Sequence, residues 1–65
     1  MPKDVIDVIR EKMDRMDVSI RRLAAESGVS YPYLQGVLAR DHSPTLEYLA
    51  KIMDYLGLEL RVVSR

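Results

Sequence analysis

Apolar residues recur at helical spacing in four separate stretches of the chain. In the first, residues 3–15, they fall three or four positions apart, and charged residues fill the gaps between them. Residues 20–27, 31–38 and 46–56 repeat this pattern over shorter lengths. A helix with one apolar face buries that face against other helices, so the pattern predicts an all-α, compact four-helix domain.

Polar residues and glycines separate these stretches in the way that helix ends require. Ser19, Ser30 and Thr45 each precede a helical stretch, where a hydroxyl oxygen can accept from a free N–H of the first turn. Gly28 and Gly57 follow the second and fourth stretches, where glycine adopts the left-handed conformation that ends many helices. The second and third helices are therefore predicted to be short and joined by a tight turn.

The fourth helix carries two apolar stripes, although a surface helix of a monomer needs only one. The stripe predicted to face the core consists of Leu46, Leu49, Ala50, Met53 and Leu56. The second stripe, on a neighbouring face, consists of Tyr48, Ile52 and Tyr55. We interpret the second stripe as a subunit contact; the alternative is ordinary surface, because small domains also expose tyrosines.

Residues 58–63 alternate apolar and polar positions, which is typical of a β-strand. A lone strand leaves its backbone groups unpaired, so we predict antiparallel pairing with the same segment of a second copy. The alternative is a frayed tail or a continued helix, for which Leu56, Leu60 and Val63 have the spacing. Together with the second stripe, the strand predicts a homodimer interface that contains Tyr48, Ile52, Tyr55, Leu58, Leu60 and Val62.

Composition limits what can stabilise so short a chain. Its 65 residues have room for one domain, residues 1–65, with a small core. With no cysteine and one histidine, we expect no disulfide, no metal site and no cofactor. We find no signal sequence and no apolar run that could span a bilayer, so we expect a cytoplasmic protein without a membrane partner. Association with a second copy remains as a source of stability.

The charge of the chain is balanced overall but not along its length. Ten basic and ten acidic residues give a net charge of zero at pH 7. Residues 1–17 carry one excess negative charge, residues 18–43 carry one excess positive charge, and residues 44–65 cancel. Binding to an anionic partner therefore depends on individually placed contacts more than on bulk attraction.

Residues 19–38 have the pattern of a helix-turn-helix, with the small Ala24 where the helices cross and Gly28 in the turn. The run VSIRRLAAESGVSYPYLQGVL resembles the DNA-binding domain of the Cro/C1-type (XRE-like) helix-turn-helix family. The resemblance extends from about residue 5 to residue 57. The residues that carry it are Leu23-Ala24, Gly28-Val29-Ser30, Tyr33-Leu34 and Ser43-Pro44-Thr45-Leu46.

The resemblance implies that residues 20–27 are a positioning helix and that residues 30–38 are a recognition helix in the major groove of double-stranded DNA. Gly36 stands at a base-reading position of the family but offers no side chain. The residues expected to read bases are Tyr31, Pro32, Tyr33 and Gln35, of which Gln35 can pair with adenine.

Phosphate contacts are expected to set the register of the protein on the duplex. The residues predicted to make them are Ser30, Arg21, Arg22, Arg40 and His42. Simpler roles remain open for several of these residues. Arg21 and Arg22 can pair with Glu26, and His42 can be an ordinary loop residue. Gln35 can be merely solvated, and Tyr31 and Tyr33 can pack against the loop before the fourth helix.

These features predict a DNA-binding transcriptional regulator, a repressor that acts as a homodimer on a palindromic operator. One alternative is an antitoxin-type autorepressor that also binds a toxin protein, since small members of the family with a strand after the fourth helix resemble antitoxins. Another is a protein-interaction module that keeps the fold without binding DNA. An enzyme is not expected, because the single histidine has no nearby nucleophile and the sequence has no glycine-rich phosphate loop.

Overall fold

A computed structural model of the protein describes residues 4–59. These residues form four helices, α1 Val5–Met16, α2 Ile20–Ser27, α3 Tyr31–Leu38 and α4 Leu46–Tyr55. The prediction of an all-α, four-helix fold is confirmed. Helix α2 packs against both α3 and α4, and α1 packs against α3, so the two short helices lie at the centre of the arrangement.

Each helix begins at a side chain that accepts a hydrogen bond from a first-turn backbone N–H. The carboxylate of Asp4 accepts from the N–H of Asp7 at 3.0 Å and starts α1. The hydroxyl groups of Ser19, Ser30 and Thr45 accept equivalent bonds of 3.1, 3.4 and 3.3 Å at the other three helices. The three hydroxyl caps predicted from the sequence are confirmed.

Each helix is followed by a residue with positive φ. Gly28 and Gly57 have φ values of 81° and 73°, in agreement with the prediction. Asp17 and Arg40 take the same conformation, with φ values of 56° and 65°, although neither is a glycine. After α3, the N–H of Asp41 donates to the carbonyl of Gly36 at 2.9 Å, which closes the helix end in spite of the unfavourable residue type.

The core contains apolar side chains from all four helices and from the turns between them. Ile9, Leu23, Leu34 and Val37 are completely buried. No polar side chain is buried among residues 4–59. The connected core consists of Ile6, Ile9, Met13, Val18, Leu23, Val29, Leu34, Val37, Leu38, Ile52 and Leu56.

Both predicted stripes of α4 contribute to the core. Of the stripe predicted to face the core, Met53 and Leu56 are buried and Leu49 packs against the core. Ile52, predicted at a subunit contact, is 1% exposed and belongs to the core. Tyr48 and Tyr55 also pack against the core. Leu46, predicted to be a core residue, is 68% exposed, and Ala50 is exposed as well. The assignment of Ile52, Leu46 and Ala50 was wrong, because two adjacent stripes have the same period and periodicity alone does not show where the core-facing side of the helix ends.

The predicted C-terminal strand is not seen where the structure describes it. Residues 58–59 belong to no strand. The N–H of Leu58 donates to the carbonyl of Met53 at 2.8 Å, so it completes the end of α4 instead of a sheet ladder. The Leu58 side chain packs against the core of its own domain. The remainder of the predicted strand, which includes Leu60 and Val62 of the predicted interface, lies outside the described residues.

Candidate nucleic-acid interface

The turn between α2 and α3 has a conformation that its residues enforce. The N–H of Gly28 donates to the carbonyl of Ala24 at 3.1 Å, and Gly28 has a φ of 81°. A side chain at this position would meet no atom within 4 Å, so glycine is required for its backbone conformation and not for space. Val29 follows directly and is 2% exposed. Helix α3 therefore leaves the turn in a fixed direction.

The far end of α3 is anchored by Arg10, a residue that the sequence analysis did not single out. Its guanidinium Nη1 donates to the carbonyl of Leu38 at 2.9 Å in a partly buried contact. A cation at this place satisfies a free carbonyl and interacts favourably with the helix dipole. An arginine on the polar face of α1 gives no distinctive sequence signal, because its target depends on how α1 packs against α3.

One face of α3 is left exposed, opposite its buried apolar residues. Pro32 and Gln35 are exposed on it, and Tyr31 is half-buried at its start. Gly36 lies one turn after Pro32 on the same side. We call these four residues the α3 surface. The structure thus brings together three of the four side chains predicted to read bases.

Tyr33, the fourth of these side chains, is turned toward α4. Its hydroxyl oxygen accepts from the backbone N–H of Thr45 at 2.9 Å. Its ring centre lies 4.7 Å from that of Tyr48 and 5.1 Å from that of His42. These contacts correspond to the alternative interpretation, in which the tyrosine packs against the loop before α4. We therefore assign Tyr33 to the support of the α3 surface and not to base readout.

The two arginines at the start of α2 have different partners. The guanidinium carbon of Arg21 lies 4.9 Å from the ring centre of Tyr31, next to the α3 surface. Arg22 binds Glu26 at 2.9 Å, and Glu26 also accepts from the Tyr55 hydroxyl at 2.7 Å. The Tyr55 bond and then the Arg22 bond lower the pKa of Glu26. Of the two arginines, Arg21 is therefore the one placed to meet an anion beside α3.

Arg40 binds two carboxylates of α1. Its Nη1 lies 2.5 Å from Asp4 and its Nη2 lies 2.9 Å from Asp7. The hydrogen bonds from Arg40 to Asp4, and then the backbone N–H of Asp7, hold the pKa of Asp4 at about 2. The predicted contact between Arg40 and phosphate stays a prediction, and it requires the guanidinium to exchange these carboxylates for DNA.

His42 and Ser30 lie at the two ends of α3. The Ser30 hydroxyl oxygen caps the helix, which leaves its O–H free to donate to a further acceptor. The His42 ring lies against Gly36, so closely that a side chain at Gly36 would collide with its Nε2 and Cδ2 atoms. His42 therefore lies against the α3 surface, although it comes six positions after Gly36 in the chain.

Lys51 is a further cation near α3 that the sequence analysis missed. Its ammonium nitrogen lies 5.4 Å from the ring centre of Tyr48, which in turn packs on Tyr33 of α3. The signal available in the sequence was its spacing, because Lys51 follows Tyr48 by three positions and so shares its side of α4.

A family model described as helix-turn-helix matches residues 9–63 of the chain. The matched segment includes the whole of α2, α3 and α4. The chain belongs to the Cro/C1-type (XRE-like) helix-turn-helix family. This is a family of DNA-binding transcription regulators. No curated protein and no solved structure gave a match.

Membership of this helix-turn-helix family agrees with what the arrangement can do chemically. Helix α3 presents amide and phenol groups, the following loop adds the imidazole of His42, and Arg21 adds a cation beside them. Such groups donate to phosphate oxygens and to base edges. Within residues 4–59, no three potential metal ligands lie together. None of the helices found there is long and apolar enough to cross a bilayer.

Proposed function

We propose that this helix-turn-helix protein is a transcriptional repressor that binds a palindromic operator in double-stranded DNA as a homodimer. The observation that carries the proposal is the α3 surface, an exposed helix face fixed at its start by Gly28 and Val29 and at its end by Arg10. A helix held in this way can present the same side chains to a groove in every encounter, as sequence-specific binding requires.

Base readout is assigned to the exposed side chains of the α3 surface. The Gln35 amide has the donor and acceptor that match N7 and the amino group of adenine. The ring edges of Pro32 and Tyr31 are apolar groups of the kind that contact the methyl group of thymine. Of these contacts, the Gln35 pair contributes the most discrimination, because it makes two hydrogen bonds to one base.

Phosphate binding is assigned to few groups, in keeping with a net charge of zero. Arg21 lies beside the α3 surface, and the Ser30 hydroxyl lies at the start of the helix. The slope of log affinity against log salt concentration is about 0.9 for each phosphate neutralised. A small number of phosphate contacts therefore gives a shallow dependence of affinity on salt.

The homodimer is proposed because one helix-turn-helix unit reads only half of a palindrome. Two units joined about a two-fold axis place their recognition helices about 34 Å apart, one turn of DNA. We place the contact at the exposed Leu46 and Ala50 of α4, because Ile52 belongs to the core. Occupation of an operator by such a dimer blocks polymerase by position, and we expect this to occur in the cytoplasm.

Selection of bound duplexes from a random pool, at modest ionic strength, tests the proposal. We expect a palindromic motif, and a measured mass of two chains at the protein concentration used. The variant Gln35→Ala should lose about 1–3 kcal/mol of discrimination at one base pair of each half-site. Asp14→Ala, an exposed change on α1, is the matched control and should leave the motif unchanged. Recovery of no preferred duplex by the wild-type protein would contradict the proposed function.

A further inference from the structure

The centre of the α3 surface has no polar side chain of its own. The buried residues of α3 include Leu34 and Val37, and the positions opposite them on the helix are Pro32 and Gly36. Neither of these two can make a directional hydrogen bond to a base with its side chain. The polar Gln35 lies to one side of this line. The middle of the exposed face of α3 therefore carries no side chain that can make a hydrogen bond to a base.

His42 occupies the place that a side chain at Gly36 would take. A side chain added at Gly36 would collide with Nε2 and would lie 2.7 Å from Cδ2 of His42. Gly36 has no positive φ, so its backbone conformation does not require glycine. Glycine is required at position 36 because the His42 imidazole lies against it. The ring is thus held on the outer face of α3 although it belongs to the loop that follows the helix.

The loop fixes the ring in this place by contacts on both sides. The N–H of Asp41, the residue before His42, donates to the carbonyl of Gly36 at 2.9 Å. The Tyr33 ring packs at 5.1 Å against the imidazole, and the Tyr33 hydroxyl accepts from the N–H of Thr45 at 2.9 Å. Among residues 4–59, no hydrogen bond forms to the imidazole nitrogens. Nε2 is the ring atom nearest Gly36, and Nδ1 lies farther from the helix.

We propose that His42 is a base-reading residue, which supplies from the loop the side chain that α3 lacks at Gly36. The inference rests on the proposed DNA binding and replaces the expected role of His42 as a phosphate contact. A neutral imidazole carries one N–H donor, and N7 of guanine and of adenine is an acceptor in the major groove. The ligand is therefore a purine, bound by N–H donation from His42 to N7.

Two single variants remove the proposed contact by different routes. His42→Ala deletes the imidazole, and Gly36→Ala displaces it by placing a methyl group where it rests. Motifs are selected from a random pool for the wild type, for each variant and for the double variant. We expect both single variants to lose the preference for a purine at the same base pair, by roughly fivefold, and the double variant to lose no more.

A modified base tests the contact in the wild-type protein. Duplexes in which that purine is replaced by its 7-deaza analogue lack the N7 acceptor and are otherwise paired normally. Wild-type affinity should fall roughly fivefold on the 7-deaza duplex, which corresponds to one hydrogen bond. The affinity of His42→Ala should be the same on both duplexes. Ser43→Ala, the neighbouring exposed loop residue, is the control and should behave as the wild type does.

The outcomes separate this inference from the proposed function. A wild-type protein that selects no motif overturns both. A wild-type motif that His42→Ala leaves intact overturns the inference alone, and so does an equal loss of affinity on all duplexes, which indicates a phosphate contact. If His42→Ala changes the selected motif and Gly36→Ala does not, the contact with Gly36 does not position the imidazole for base readout. This result also overturns the inference. Thermal unfolding of each variant shows that the fold is retained.

Discussion

The hydroxyl oxygen of Tyr33 accepts a hydrogen bond of 2.9 Å from the backbone N–H of Thr45. This bond joins α3 to the residue that caps α4, because the Thr45 hydroxyl accepts in turn from the N–H of Tyr48. The rings of Tyr33 and Tyr48 pack together at 4.7 Å beside it. The loop that carries His42 is therefore closed at its far end by a side chain of α3.

Removal of this hydroxyl should destabilise the domain without changing the bases that it prefers. We expect Tyr33→Phe to lower the free energy of unfolding by about 0.5–1.5 kcal/mol, the net value of one hydrogen bond. In a domain of this size each kcal/mol corresponds to roughly 4–8 °C in Tm. Tyr31→Phe is the matched control, and it should leave Tm unchanged. A lower Tm for Tyr31→Phe than for Tyr33→Phe would contradict the assignment of Tyr33 as the supporting residue.

The ion pair between Asp4 and Arg40 should make stability depend on acid pH. The pKa of Asp4 is about 2 in the folded chain, below its ordinary value of 3.8. A lowered folded pKa means that the carboxylate stabilises the fold above about pH 4, and that this contribution is lost as the pH falls from about 4 to 2. We expect Asp4→Asn, whose amide oxygen can still cap α1, to show a weaker loss of Tm over this interval.

Thermal unfolding between pH 5 and pH 2 measures this effect. The wild type and Asp4→Asn should differ most at pH 5 and converge near pH 2. Asp14→Asn, an exposed change on the same helix, is the control for removal of a carboxylate as such. Parallel curves for the wild type and Asp4→Asn over the whole interval would show that the pair with Arg40 does not stabilise the fold.

The arginines near the α3 surface should differ in their contribution to DNA affinity. Arg21 lies over the ring of Tyr31 and pairs with no carboxylate of residues 4–59, whereas Arg40 binds Asp4 and Asp7. We expect Arg21→Gln to reduce the slope of log affinity against log salt by about 0.9, the effect of one lost phosphate contact. Arg40→Gln should change the slope less. An equal or larger change for Arg40→Gln would mean that DNA displaces the carboxylates.

The sequence was sufficient to predict the helices because their ends carry local signals. Ser19, Ser30 and Thr45 act within one turn of their own positions, and so does Gly28. The orientation of α4 could not be derived in the same way. Ile52 and Leu46 are equally apolar, and which of them is buried depends on the side of α4 that packs against the rest of the domain.

The site was predictable only as far as it lies on a single helix. Tyr31, Pro32 and Gln35 follow from the position of α3 alone. Asp4, one partner of Arg40, lies 36 residues away from it in the chain. The contact between His42 and Gly36 depends on the path of the loop between them. Such contacts are set by tertiary packing, for which a single sequence contains no direct signal.

The exposed apolar side chain of Leu46 on α4 leads to a prediction about self-association. Leu46 is 68% exposed, and burial of a leucine side chain against a second copy would stabilise a dimer by about 1.5–3 kcal/mol for each chain. A lysine at this position keeps its ammonium group in water and opposes the same group of the partner across a two-fold axis. We expect Leu46→Lys to raise the dimer dissociation constant by at least tenfold, as measured by sedimentation equilibrium.

Met16 offers a matched control, because it is the other large apolar side chain exposed within residues 4–59, at 40%. It lies at the end of α1, so Met16→Lys should leave the dissociation constant unchanged if α4 forms the contact. Since neither side chain belongs to the core, both variants should keep the Tm of the monomer. A dimer that survives Leu46→Lys but is broken by Met16→Lys would move the interface to α1, and a wild-type mass of one chain at all concentrations would remove it altogether.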